Sequence, residues 1–407
     1  MDIKNWENWA SKQNVKLLAR CAKIKPLKLI RKLKMKFQAD REVLSDAVSF
    51  LVRMLSPRPQ LPQLSGVVVD ATDGSITLSI FDYEVVARVS IAGSVEKPGK
   101  TLVQARLLAE IVSKLPSDSV SIELLESRVA INSGSSKFSL SAMSMTEYPQ
   151  TPDIPSGSGT VKAEQFSDAV AEVSIAASRE EVTPVLTAVM VSSKPKELSF
   201  VATDRFRVAV KSVPWTSKSA ETEVLIPARV LSEIAKTFSG SGDVEIGIGS
   251  SEKEMVGFTS GNKMVATSTI KGKYPAVLQL FPSETPHFAV LNTSDLSDAT
   301  KRVSLVVDRD KPIRFSFGSA ELNLESIGSD VADASEQVSC SLTGDDTVVS
   351  LKPQFLIDAL SSVETEMVQI GFTSNPNNPN KPGPVLIIPV GSNNNYKYLL
   401  QPNLLVS

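Results

Sequence analysis

The run whose residue types come nearest to chemistry is Ser94-Val95-Glu96-Lys97-Pro98-Gly99-Lys100-Thr101. A Gly-Lys-Thr ending is what a phosphate-binding loop uses, because backbone N–H groups wrap the phosphates while the Lys reaches them. That loop needs Gly at its first position, where this chain has Ser94, and Gly93 stands one residue too early. Pro98 removes an N–H donor from the wrap. The Lys-Thr pair should also open a helix, yet Thr101-Leu102-Val103 matches the extended-looking Val224-Leu225-Ile226. A surface loop ahead of a helix is therefore expected here, with a phosphate-loop NTPase as the enzymatic alternative. Other reactive groups are sparse. The only His, His287, lies beside Pro286 and reads as a linker or strand-edge residue. Cys21 and Cys340 offer neither a disulfide framework nor metal-ligand spacing, and point to a reducing cytosol. Glu180 and Glu181 are adjacent, so they flank a turn without facing each other, and Glu364 and Glu366 read as a solvated pair. No catalytic, metal or cofactor site is expected, which favours a binding or scaffolding role.

The elements that would position any functional residue come in three copies. Leu44-Ser45-Asp46-Ala47-Val48, Phe166-Ser167-Asp168-Ala169-Val170 and Leu296-Ser297-Asp298-Ala299-Thr300 each begin an apolar pattern with offsets 0, 4, 7 and 11. The pattern continues through Leu51 and Leu55, Val173 and Ala177, and Val303 and Val307. Such spacing is one face of an α-helix. An Arg follows each time, at Arg58, Arg179 and Arg309. In the first copy, Val67–Ala71, Ile76–Ile80 and Glu84–Ile91 read as strands, and Asp73-Gly74 reads as a hairpin turn. A second helix is expected near Gln104 with Ala105, Leu108, Ile111 and Leu115 as its stripe, followed by the alternating Val120–Leu124. The second and third copies repeat this at Ala228, Leu231, Ile234 and Phe238, and at Pro353, Leu356, Ala359 and Val363. The spacing of about 124 residues is far above solenoid periods and implies three similar whole domains. Their expected bounds are 35–155, 160–282 and 283–407, each closing on Tyr148-Pro149, Tyr274-Pro275 or the final Tyr398-Leu399-Leu400-Gln401-Pro402. The fold class is α+β.

With 42 % hydrophobic and 22 % charged residues the chain has an ordinary globular composition. No apolar run approaches the roughly 18 residues of a membrane span. Residues 1–34 carry ten Lys/Arg against two acids, net +8. Against the chain's −2 the remainder is −10, an acidic body that cannot grip phosphate over its whole surface. The basic stretch is expected to be a disordered extension, or untranslated with Met35 as the start; a nucleic-acid arm or targeting segment is the functional alternative.

The threefold repeat, the segment Val201-Ala202-Thr203-Asp204-Arg205-Phe206-Arg207-Val208-Ala209-Val210, Tyr274-Pro275 and the C-terminal Tyr398-Leu399-Leu400-Gln401-Pro402 together resemble the bacterial sliding clamps, the β subunits of DNA polymerase III. The resemblance covers residues 35–407. It implies a head-to-tail homodimer that forms a six-domain ring around double-stranded DNA, a cytoplasmic location, no cofactor and no catalysis. It implies helices lining the hole and sheets outside. Arg58, Arg179 and Arg309 would then lie near the inner wall with Arg106, Arg229, Lys236, Lys301 and Arg302, contacting phosphate without reading bases. Taken alone, an Arg after a helix interacts with the helix C-terminus.

The resemblance also implies a pocket between the second and third repeats that captures short hydrophobic motifs of the replicative polymerase, the clamp loader and repair proteins. Carried over by position, its lining is Leu186, Thr203, Arg205, Phe206, Arg207, Val208, Pro275, Gln279, Leu280, Leu399, Leu400, Gln401, Pro402, Asn403 and Leu404. The chain departs from the family at Gln401, where Met is usual, at Asn403-Leu404, where Met/Val-Arg is usual, and at Gln279, near which an Arg is common. A more polar rim and a shifted peptide preference are expected. The dimer seam would bring Leu305 and Val306 of the third repeat to the first, with Arg106, Arg128 and Lys137 facing Glu325, Asp330, Asp333 and Glu336. The alternative to a clamp outside enzymology is a three-domain interaction protein that does not touch DNA.

Overall fold

A computed structural model describes residues 33–72, 74–218, 220–240, 242–248, 255–308, 311–327, 332–374, 382–391 and 395–403. Each repeat runs strand, helix, strands, helix, strands. The helices are α1 (Arg41–Met54), α2 (Ala105–Ser113), α3 (Ala163–Ser174), α4 (Ala228–Phe238), α5 (Thr293–Val303) and α6 (Pro353–Ser361), two to each repeat. Asp40 caps α1 by accepting from the backbone N–H groups of Glu42 at 2.8 Å and Val43 at 3.0 Å. Asn292 does the same for α5, satisfying donors that the first helical turn leaves unpaired. Leu44, Val48 and Leu51 on α1, Phe166, Val170 and Val173 on α3, and Leu296, Thr300 and Val303 on α5 are all buried, as the offsets predict. The fourth position of the stripe differs: Leu55, Ala177 and Val307 lie beyond the ends of these helices. The chain leaves α1 in extended backbone at Leu55, which still tucks its side chain into the core. On α2 the inward residues are Ala105, Leu108 and Val112, while Ile111 is only half-buried.

Antiparallel ladders run through all three repeats. The first sheet has the strand order Ser94–Lys97, Leu33–Asp40, Ser119–Leu125, Arg128–Ser133, Ser136–Ser141, and belongs to the first repeat alone. Its second strand starts at Leu33, two residues before the expected start at Met35. The other two sheets cross repeat boundaries. Val85–Ala92 of the first repeat pairs with Lys263–Ser268, the last strand of the second, with Val86 opposite Ala266. Arg207–Pro214 of the second repeat pairs with Lys397–Leu400, the last strand of the third, with Val208 opposite Leu399. Both junctions are thus continuous sheet, and a nine-stranded and a twelve-stranded sheet result. The α1–α2, α3–α4 and α5–α6 pairs pack on these sheets, and one continuous apolar core extends through the three repeats.

The run Ser94–Thr101 is not the expected surface loop. It lies in two strands, Ser94–Lys97 and Gly99–Gln104, with Lys36 opposite Lys97 and Val69 opposite Thr101. Lys100 Nζ stands 3.3 Å from Asp70 Oδ2. Gly99 serves strand packing: a Cβ there would lie 2.8 Å from the Lys34 carbonyl oxygen. Backbone tied into ladders cannot wrap a phosphate, so the NTPase alternative fails. The strands Gly66–Thr72 and Ser75–Phe81 form the expected hairpin with Gly74 at φ +77°, while Asp73 lies outside the described residues. His287 opens the strand His287–Asn292, where its Nδ1 accepts the Asp345 N–H at 3.3 Å. No described helix is long and apolar enough to cross a membrane.

Candidate functional site

The segment Thr203–Arg207 is the turn between the strands Glu197–Thr203 and Arg207–Pro214. Asp204 Oδ1 accepts from the backbone N–H groups of Phe206 at 3.0 Å and Arg207 at 3.1 Å, an Asx-type turn. Thr203 Oγ1 donates to the Arg207 carbonyl at 2.7 Å and accepts from Arg205 N at 3.2 Å. Arg205 takes the left-handed conformation at φ +81°, and its guanidinium donates to Thr183 Oγ1 at 2.8 Å. The turn therefore aims Phe206 outward, 60 % exposed, and Arg207 inward, 6 % exposed.

Arg207 is a buried tie between repeats. Its Nε donates to Asp204 Oδ2 at 2.9 Å, and one terminal nitrogen donates to Asp358 Oδ2 on α6 at 2.6 Å and to Tyr398 Oη at 3.2 Å. The guanidinium carbon lies 4.3 Å from the centre of the Phe355 ring. Burial works against its charge, but Tyr398, Asp358 and Asp204 outweigh it and hold the pKa above its ordinary value. Phe206 stacks on Phe355 with centroids 6.3 Å apart, and the Phe206 carbonyl accepts Gln401 N–H at 2.8 Å. Phe355 and Asp358 are absent from the set expected from sequence. The signal for them is weak, since on α6 they read only as helix positions beside the apolar stripe.

Around this turn the expected pocket residues separate into floor and rim. Leu186, Thr203, Val208, Leu399, Leu400 and Pro402 are buried. Arg205, Phe206, Pro275, Gln279, Leu280, Gln401 and Asn403 are exposed. Leu404 lies outside the described residues. The floor is continuous with Val201, Leu225, Val277 and Leu386. Beyond it, along the same strands, a cavity of about 370 Å³ is lined by Glu197, Val210, Ser212, Leu278, Phe281, Asn395 and Lys397, of which only Val210 belongs to a segment the sequence singled out. A polar cleft of about 310 Å³ between α5 and the end of α6 lies on a different face of the third repeat.

The basic residues fall into two groups. Arg58, Arg106, Arg179 and Arg229 are exposed and pair with no acid among the described residues. Arg106 and Arg229 occupy the same place in two repeats, the second residue of α2 and of α4. A cation in the first helical turn opposes the helix dipole, so helix stability does not explain them. Lys236, Lys301 and Arg302 lie in last turns, where the dipole favours them, and each has an acidic partner. Lys236 pairs with Glu233 at 2.9 Å, Lys301 with Asp298 at 3.0 Å, and Arg302 with Glu336 through Nε at 3.0 and 3.1 Å. Arg309 lies outside the described residues.

Of the expected seam residues, Leu305 is 84 % exposed and Val306 half-buried on a short 3-10 turn after α5. Arg106, Lys137, Glu325 and Asp333 are exposed. Arg128 folds over the neighbouring strand, donating to Ser139 Oγ at 2.8 Å and to its carbonyl at 2.9 Å. Glu336 is committed to Arg302 within the chain, which draws its carboxyl below the usual range. Asp330 lies outside the described residues. The sequence reading missed Phe138, which is 42 % exposed on the edge strand Ser136–Ser141. Alternation along Lys137-Phe138-Ser139-Leu140 gave no signal for it, because Phe138 lies on the same strand face as the buried Leu140 and so reads as a core position.

Comparison with known proteins matches this architecture end to end. Residues 35–152, 160–276 and 278–402 match, in order, the N-terminal, central and C-terminal domains described as DNA polymerase III beta subunit. The beta sliding clamp of Micrococcus luteus is 41 % identical over 310 residues, 76 % of this chain and 100 % of that protein. The beta sliding clamp of Streptomyces coelicolor is 37 % identical over 377 residues, 90 % of this chain and 99 % of its own. The crystal structure of the DNA polymerase sliding clamp from Bacillus subtilis superposes with a TM-score of 0.83 at 24 % identity, covering 91 % of this chain and 99 % of that one. With matching domains spanning nearly all of residues 35–402, the chain belongs to the DNA polymerase III β subunit family, the β sliding clamps.

Proposed function

We propose that two copies of this processivity clamp close head-to-tail around duplex DNA in the cytoplasm, and that the junction of the second and third repeats holds its partners. The clamp itself performs no catalysis. One observation carries the ring: the junction ladder used twice inside the chain has its two halves left over at the ends. At each internal junction the last strand of one repeat pairs with a strand of the repeat before it. The last strand of the first repeat, Ser136–Ser141, lies at a sheet edge. In the third repeat, Ser335–Ser339 has, among the described residues, a ladder partner only on the Glu321–Glu325 side. An edge of unpaired N–H and C=O groups is a template for another strand. Two copies satisfy both edges and close with two-fold symmetry. Leu305 and Phe138, both exposed apolar residues, supply burial at that seam.

Arg58, Arg106, Arg179 and Arg229, which pair with no acid among the described residues, then face the hole and meet phosphate without sequence preference. The exposed acids Asp46 on α1, Asp168 on α3 and Asp298 on α5 keep that contact weak. A ring retains DNA topologically, so weak contact permits sliding. Partner polymerases, loaders and repair proteins would present short hydrophobic motifs to the floor of Val208 and Leu399 under the rim of Phe206 and Leu280.

The test is molar mass in solution together with DNA retention. The wild type should be a dimer that stays on nicked circular DNA after loading and is lost when the circle is linearised. Phe138→Asp should yield a folded monomer that is not retained. Equal retention on circular and linear DNA would overturn the ring.

A further inference from the structure

We propose that Asp358 on α6 is a positioning residue for the partner-peptide pocket, acting through Arg207 on the Phe206–Phe355 stack that forms its wall. The inference rests on the pocket reading above and adds a residue outside the expected lining.

The geometry runs in one chain of contacts. Phe206 belongs to the second repeat and Phe355 to the third, so their stack has the right shape only if α6 keeps its place against the Thr203–Arg207 turn. Two features hold it there. The sheet ladder between Arg207–Val210 and Lys397–Leu400 fixes the strands but not the helix. Buried Leu356, Ala359 and Leu360 seat the helix in its own repeat, and Asp358, whose Oδ2 accepts from Arg207 at 2.6 Å, ties it to the turn of the second repeat, while Tyr398 donates to the Phe355 carbonyl at 3.0 Å. Asp358 is itself oriented, because its Oδ1 accepts from Gln354 Nε2 at 2.7 Å. The guanidinium so held lies 4.3 Å from the centre of the Phe355 ring, on which Phe206 also stacks with centroids 6.3 Å apart, so Arg207 and Phe206 both pack on that ring. Charge-assisted hydrogen bonds to a mostly buried guanidinium have the strength to define such a position. Asp358 does not itself line the exposed rim; it sets the angle of an aromatic wall that does.

The probe is a fluorescein-labelled synthetic peptide with a Leu-Leu-Phe core, titrated into the full-length dimer and read by anisotropy. Asp358→Asn keeps the size and one acceptor but removes the charge, and should weaken binding on the order of tenfold. Asp358→Glu should recover much of that loss. The decisive readout is the cycle with Phe206→Ala: once Phe206 is gone, Asp358→Asn should cost little more, because both act on the same wall. A purely structural role predicts independent, multiplying losses and no rescue by Glu, and would overturn the proposal. Wild-type binding that Asp358→Asn leaves unchanged would also overturn it while leaving the pocket intact. If the wild type does not bind the peptide, the pocket reading itself falls and this inference with it.

Discussion

The two internal junctions are built on one plan and differ in what they contain. At both, an Asp after the strand accepts two backbone N–H groups across a turn: Asp82 from Glu84 at 3.2 Å and Val85 at 2.8 Å, Asp204 from Phe206 and Arg207. At both, the next residue is left-handed, Tyr83 at φ +77° and Arg205 at φ +81°. A carbonyl in each turn accepts from the facing strand at 2.8 Å, Glu84 from Ser268 N and Phe206 from Gln401 N. The contents then diverge. Where the second junction has the buried Arg207, the first has the buried Val85. Where the second has Thr203, Leu399 and Leu386 as a floor, the first has Phe81, Ala266 and Gly257, and Ile154 of the inter-repeat linker packs into the space. The corresponding segment of the second junction folds into the 3-10 turn Val277–Leu280 and leaves Leu278 and Leu280 exposed. A repeat-derived groove is closed by the chain's own linker at one junction and left open at the other.

The sharpest way to break this comparison is at the pair Val85 and Arg207. Arg207→Ala strands two largely buried carboxylates, Asp204 and Asp358, and should destabilise the protein by about 4 kcal/mol. Val85→Ala removes only apolar contacts and should cost about 2 kcal/mol. Chemical denaturation of the two variants measures both, and equal losses would mean that the ion network does not distinguish the junctions. The ion pair across the first junction, Lys263 with Asp46 at 2.8 Å, has a 61 % exposed carboxylate side chain and cannot substitute for that network.

Next in size is Gly257. Its position in the ladder, opposite Ala266, is that of Leu386 opposite Leu399. A Cβ at Gly257 would lie 2.0 Å from the Pro155 carbonyl oxygen, so Gly257→Ala must push the linker off the groove. A loss of about 2 kcal/mol is expected, with a gain in binding of a hydrophobic dye. Unchanged melting and dye binding would mean that the linker is not what closes the first junction.

Much of this architecture was legible in the sequence. The three helix stripes, Asp73-Gly74 and the alternating Val120–Leu124 are local patterns whose period is set by backbone geometry, and the structure keeps them wherever they lie in the described residues. Helix ends were less legible, because Leu55 and Ala177 are buried beyond the last helical turn and a pattern of offsets cannot tell burial from helicity. The run Ser94–Lys100 read as loop because Pro98 and Gly99 look like turn residues, whereas Gly99 is there for close packing, and only Thr101-Leu102-Val103 read as extended. At the candidate site, Thr203–Val208 stood out by resemblance. The division into inward Arg207 and outward Phe206 did not, since it depends on a left-handed Arg205 and on partners 151 and 191 residues away. Phe355 and Asp358 could not be assigned for the same reason: their roles are set by a contact between repeats.

The smallest effect concerns what the junctions share. Tyr148 and Tyr274 close their repeats, and each phenol is buried against the strand end of its junction. Burial pushes Tyr148 from 10.0 up to about 12, partly offset by the Phe81 N–H that donates to its oxygen at 2.8 Å. Burial raises Tyr274 as well, beyond the usual tyrosine range. A phenol whose folded pKa is raised stays protonated in the folded state while the unfolded chain ionises, so its contribution is complete below pH 10 and is lost as pH rises toward 12. For Tyr148 alone the loss should reach about 1 kcal/mol by pH 11. Tyr148→Phe should therefore flatten the alkaline fall of stability by about that amount relative to wild type, read as denaturation midpoints at pH 9 and pH 11. If Tyr148→Phe and wild type fall in parallel, the phenol of the first junction is not protected by the fold, and the two junctions differ in their frame as well as in their filling.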